Sequence, residues 1–132
     1  MDYNEIIEDL KDVKQRYGIY YVGGGSFTLA SAFLSGYFWR RINDNNFREW
    51  LVLKTGYHYD NGWWTSLVLE LAFPGMNVFM NSVPDEDLAR NCLFDLVIEY
   101  VTDWEAKGEE RIHQEYCKMR DEYRKENGIE PF

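Results

Sequence analysis

The stretch Leu88-Ala89-Arg90-Asn91-Cys92-Leu93-Phe94-Asp95-Leu96-Val97-Ile98-Glu99-Tyr100-Val101-Thr102-Asp103-Trp104 decides the fold class. Leu88, Ala89, Cys92, Leu93, Leu96, Val97, Tyr100, Val101 and Trp104 recur at the period of an α-helix and form one continuous apolar face. A seam of this length needs other elements to cover it, so it predicts the central helix of a packed domain. Asp95, Glu99 and Asp103 fall four residues apart on the opposite face. Like charges at that spacing repel by a few tenths of a kcal/mol per pair. Within the helix only Lys107 is placed to relieve them, which suggests an anionic ridge presented to a basic partner. A solvated face would account for the same residues.

Outward from this helix, the chain reads as a series of shorter ones. Ser82 with Asp85 resembles a capping box ahead of the central helix, with Pro84 in its first turn, and Gly108 breaks it after about Ala106. Residues 109–126 form a charge-rich last helix on the stripe Ile112, Tyr116, Met119 and Tyr123, followed by a loose tail over about 127–132. Toward the N-terminus, Ile6, Ile7, Leu10, Val13 and Tyr17 predict a first helix that Gly18 stops, with a minor extended segment near 19–22. Ser26 caps a second helix, in which Gly36 suggests the close approach of another backbone. Asn43-Asp44-Asn45-Asn46 caps a third, which carries Phe47, Trp50, Leu51 and Lys54 and ends at Gly56. The stretch 63–73 suits helix or strand. Helix is preferred, because Pro74-Gly75 ends it cleanly. The expectation is therefore an all-α, compact single-domain bundle of about five to six helices spanning residues 1–132.

Composition narrows the function. The chain has 132 residues and a net charge of -9; residues 1–82 contribute -2 of it and residues 83–132 contribute -7. That field excludes a basic footprint for DNA or RNA and suits a cationic protein surface. Cys92 and Cys117 do not make a disulfide framework, and no segment is apolar for the roughly 18 residues a membrane span requires. The start of the chain lacks a signal-peptide pattern, so a cytoplasmic location is expected.

The chemistry-bearing residues are sparse. Gly23-Gly24-Gly25-Ser26 lacks the lysine and spacing of a phosphate-binding loop, and a flexible connector with a serine cap explains it more simply. His58 and His113 lie on different elements, and no metal-ligand spacing links either to another histidine or cysteine. His58 with Asp60 is the one conceivable acid–base pair. The chain is not expected to be an enzyme or to hold a metal or cofactor. The run Tyr57-His58-Tyr59-Asp60-Asn61-Gly62-Trp63-Trp64 is better suited to contact, since such side chains combine large area with polar tips. One tryptophan is expected inside, leaving Tyr57, Tyr59 and Trp63 as anchors.

Tyr20/Tyr21, Gly23, Leu29, Phe33-Leu34-Ser35-Gly36-Tyr37, Phe47-Arg48-Glu49-Trp50-Leu51, Trp63/Trp64 and Leu67-Val68-Leu69 together resemble a family of small bacterial proteins. Its members are often predicted immunity proteins beside polymorphic or contact-dependent growth inhibition toxins. The likeness covers roughly residues 17–104 and departs where the family's Arg-Pro is Arg16-Tyr17. It implies a mainly helical fold and a cognate toxin as partner, and it transfers no binding residue. The expected function is an immunity protein that neutralises a toxin domain, a nuclease by its need for a cationic cleft. Asp95, Glu99 and Asp103, extended by Glu109 and Glu110, would supply the contacts, with Tyr57, Tyr59 and Trp63. The alternative is a small-ligand or regulatory domain with an aromatic pocket between the second helix and the Trp63 region. A homodimer through the exposed aromatics is also open.

Overall fold

Residues 2–20 and 26–129 are described by the structure, a computed structural model. Its α-helices are α1 (Tyr3–Tyr20), α2 (Phe27–Arg41), α3 (Asp44–Thr55), α4 (Trp64–Ala72), α5 (Glu86–Lys107) and α6 (Glu109–Glu126), with a 3-10 turn at Tyr57–Tyr59 and no strand among the described residues. The expected all-α bundle is the one observed, and 63–73 takes the helical option.

α5 is the axle. It packs against each of the other five α-helices, because its apolar face is broad enough to serve several neighbours at once. Ala89, Leu93, Phe94, Leu96, Val97, Tyr100, Val101 and Trp104 are buried. Burial of each large side chain contributes about 1.5–3 kcal/mol relative to leaving it in water. Two details of the predicted seam change: Leu88 is exposed, and Phe94 is buried. The helix is covered on more than one side, so a single-face pattern understates its core.

Around Phe47 the bundle closes through aromatic rings. Phe38 of α2 lies 5.4 Å from it, Trp50 of α3 6.0 Å, Trp64 of α4 5.9 Å and Tyr100 of α5 5.3 Å. These tilted and offset arrangements are favoured by the ring quadrupole and tie four helices to one point.

Caps set the helix starts. The Ser26 hydroxyl accepts from the Leu29 N–H, and the Asn43 side chain accepts from those of Asn45 and Asn46, as the sequence predicts. At α5 the cap is Asp85, which accepts from the Leu88 N–H at 3.0 Å, and not Ser82. The helix starts there because Asp85, Glu86 and Asp87 together set carboxylates against the positive end of its dipole. Glu86 also reaches across to accept from the Phe27 N–H at 2.7 Å, capping α2 from outside.

Three further expectations are corrected. α1 runs through Gly18 to Tyr20, so residues 19–20 are helix and not extended; one glycine costs a helix only about 1 kcal/mol, and no proline follows to end it. The remainder of the extended segment, with Gly23-Gly24-Gly25, lies outside the described residues. Gly36 is exposed, and a Cβ there would meet nothing within 4 Å among the described residues, so none of their backbone makes the expected close approach. Residues 127–129 are tied to α6, the Ile129 N–H donating to the Arg124 carbonyl at 2.8 Å beyond a positive-φ Gly128. The rest of the expected tail lies outside the described residues.

Candidate interaction surface

The ridge exists, and it is compensated from outside its own helix. Lys14 of α1 lies 2.5 Å from Asp95, and Lys54 of α3 lies 2.5 Å from Glu99. The Trp50 indole N–H donates to Asp103 at 2.8 Å, while the Lys54 ammonium sits 4.9 Å from the Trp50 ring centroid. Lys107 pairs instead with Glu115 of α6, at 3.2 Å. Spacing within one helix cannot reveal bases that packing brings from elsewhere, so the expectation of an uncompensated ridge does not hold. Asp95 and Glu99 nevertheless remain open, with 61% and 49% of their side chains exposed.

Glu109 and Glu110 border a different feature. They line a polar cleft of about 190 Å³ with Asn43, Asn45, Asn46, Glu49 and His113, where the starts of α3 and α6 meet. Behind it, the Asn46 side-chain amide donates to the Glu109 carbonyl at 3.0 Å, and the Tyr100 hydroxyl donates to Asn46 Oδ1 at 2.6 Å. Glu49 is buried, and its Oε2 lies 2.5 Å from His113 Nδ1.

Asp60 is not paired with His58. Its Oδ1 accepts from the Arg48 guanidinium at 3.1 Å and from the Tyr116 hydroxyl at 2.5 Å, while the His58 ring lies 4.2 Å from that of Tyr59. Burial, with the bond to the Asp60 carboxylate, pushes the Tyr116 phenol up to about 12. Folding thus favours its protonated form. That contribution is complete below the ordinary value of 10 and is lost as pH rises through about 12. Tyr116→Phe should therefore be less stable than the wild type near neutrality, by about 1–3 kcal/mol for the lost bond to a charged acceptor. The deficit should shrink between pH 10 and about 12. Urea unfolding at both ends of that window checks it, and a constant deficit would mean that the phenol titrates alike in both states.

In the aromatic run, Trp64 is buried and Trp63 is 48% exposed, so one tryptophan is inside as expected. Tyr57 and Tyr59 are less available. The Tyr57 ring packs 4.7 Å from Tyr123, and the Tyr59 hydroxyl donates to Glu70 at 3.0 Å. Between α2 and Trp64, the Phe38 and Phe47 rings pack against the Trp64 ring, at 5.4 and 5.9 Å. Sequence reasoning missed the connection 73–85, where Met76 is 51% and Phe79 61% exposed. Together with Tyr59, Ser66 and Glu70, these two flank a groove of about 250 Å³. A signal was present: Met76-Asn77-Val78-Phe79-Met80 is apolar, lies between Pro74-Gly75 and Pro84, and belongs to no helix. A connection of that length carrying exposed Met and Phe is typical of contact surfaces. No family model, curated protein or solved structure matches the chain.

Proposed function

We propose that the chain is an immunity protein, a non-catalytic cytoplasmic inhibitor that binds one cognate toxin domain, and that the toxin is a nuclease with a cationic cleft. The observation that carries this reading is the state of Asp95 and Glu99: each holds a lysine, yet each keeps about half or more of its side chain in water. Exposed ion pairs contribute about 0–1 kcal/mol, so an arginine or lysine from a partner can displace Lys14 or Lys54 at small cost. α5 carries six acids and two bases, and the field of this helix speeds encounter with a basic surface. Trp63, Met76 and Phe79 supply the exposed apolar area that a long-lived complex needs. The resemblance to immunity proteins supports the same reading; of the residues that carry it, Phe47, Trp50, Leu51, Trp64 and Leu67 are buried, whereas Leu29 and Trp63 are exposed.

The test is affinity capture of the tagged protein from its source cells at low and high salt, followed by co-expression with the basic toxin domain so recovered. A stoichiometric complex that weakens with salt is expected. Asp95→Lys combined with Glu99→Lys should weaken it by about tenfold or more while leaving the free protein folded by circular dichroism. Capture undiminished by the double reversal would remove the ridge from the interface. Failure to protect cells from the toxin would overturn the immunity reading itself.

A further inference from the structure

One cluster plays no part in that reading. On α6, His113 and Cys117 are one turn apart, and the Cys117 sulfur lies 3.5 Å from His113 Nε2. The other ring nitrogen, Nδ1, meets Glu49 of α3 at 2.5 Å. Glu49 is only 5% exposed, and a carboxylate so deeply set needs a partner to offset its desolvation. An ionised carboxylate can only accept, so it holds the proton on Nδ1 and leaves the Nε2 lone pair directed at the thiol. Nucleophile, base and orienting acid therefore stand in the order that activates a side chain for attack. We propose that Cys117 is a nucleophilic thiol served by His113 as base and Glu49 as positioning residue, and that it is a site of mixed-disulfide formation with small-molecule disulfides.

The surroundings select the electrophile. Cys117 lies in the interior of α6, where the neighbouring backbone N–H groups are used by the helix, so none beside the thiol is free to hold an oxyanion and acyl transfer gains no support. Attack on sulfur needs no such donor. Among the described residues no group of three His, Cys, Asp or Glu is arranged to hold a metal ion. Charged groups near the pair include Glu49 from α3 and Glu109, Glu110 and Arg120 from α6 itself; Arg120 is close enough to interact with Cys117 and is also paired with Asp121 at 3.3 Å. Cys92 is the contrasting case: burial and the neighbouring Asp95 charge push its thiol up from its ordinary value.

In the reaction, Cys117 Sγ attacks one sulfur of the disulfide as its proton passes to His113 Nε2. The S–S bond breaks, a new one joins Cys117 to the attacked half, and the departing thiolate takes the proton from His113. One disulfide is exchanged for another, so no further oxidant is required.

The test is the rate of glutathione disulfide incorporation, followed by intact-mass and peptide-mapping mass spectrometry. Cys92→Ser isolates Cys117, and Cys117→Ser isolates Cys92. Cys117 should react about tenfold or more faster than Cys92, and His113→Gln should slow it by about tenfold. Glu49→Gln should slow it less and displace the pH profile of the rate, which a purely packing role would not do. Should Glu49→Gln fail to fold, the exposed His113→Gln still decides the matter. A Cys117 rate no greater than that of Cys92, or one unchanged in His113→Gln, overturns the proposal.

Discussion

Phe47→Ala is expected to remove about 3–5 kcal/mol of folding free energy, the usual cost of deleting a fully buried aromatic ring. Phe47 has no exposed surface, and its ring lies within 6.0 Å of Phe38, Trp50, Trp64 and Tyr100. Those four partners sit on four helices, so the void left behind cannot close by one side chain swinging in. Each ring pair adds about 0.5–1.5 kcal/mol beyond the area it buries. A domain of this size has about 5–15 kcal/mol in total, so the loss takes a large share of it. Urea denaturation followed by tryptophan fluorescence measures the loss directly, since Trp50 and Trp64 both report on the cluster. A loss below about 1 kcal/mol would mean that the rings do not share one packed core.

Asn46→Ala should cost about 2–4 kcal/mol although it deletes no large apolar group. Asn46 is 2% exposed; its Oδ1 accepts from the Tyr100 hydroxyl, and its Nδ2 donates to the Glu109 carbonyl. Truncation leaves the Tyr100 hydroxyl buried without an acceptor, at about 1–3 kcal/mol, and removes a second, part-buried bond to the Glu109 carbonyl, worth about 0.5–1.5 kcal/mol. The bond runs from the start of α3 to the middle of α5 and the start of α6, so its loss loosens three helices together. A double-mutant cycle with Tyr100→Phe isolates the effect. The tyrosine change should cost less in the Asn46→Ala background than in the wild type, because the hydroxyl has already lost its acceptor. Strict additivity would show that the Asn46–Tyr100 bond contributes nothing.

The long-range pairs explain why the candidate site was harder to foresee than the fold. Asp95, Glu99 and Asp103 were legible as one face of a helix. Their neutralisation was not, because Lys14 and Lys54 arrive from 81 and 45 residues away in the chain. Trp63 and Trp64 could be divided into one exposed and one buried residue but not assigned, since adjacent residues at a helix start differ only in what packs over them. Met76 and Phe79 escaped notice because apolar residues suggest core until the connection holding them is known to lie outside every helix.

By itself the sequence determined the helices, most of their caps and the central place of the stretch around Tyr100. Periodicity, capping and chain breaking are local, acting over a turn or two of backbone. Tertiary structure alone decided which charges are answered and which reactive groups meet. Glu49 and His113 stand 64 residues apart, on α3 and α6. Only the packing of those helices puts a buried carboxylate against an imidazole one turn from Cys117, because side-chain chemistry depends on distances that no local pattern encodes.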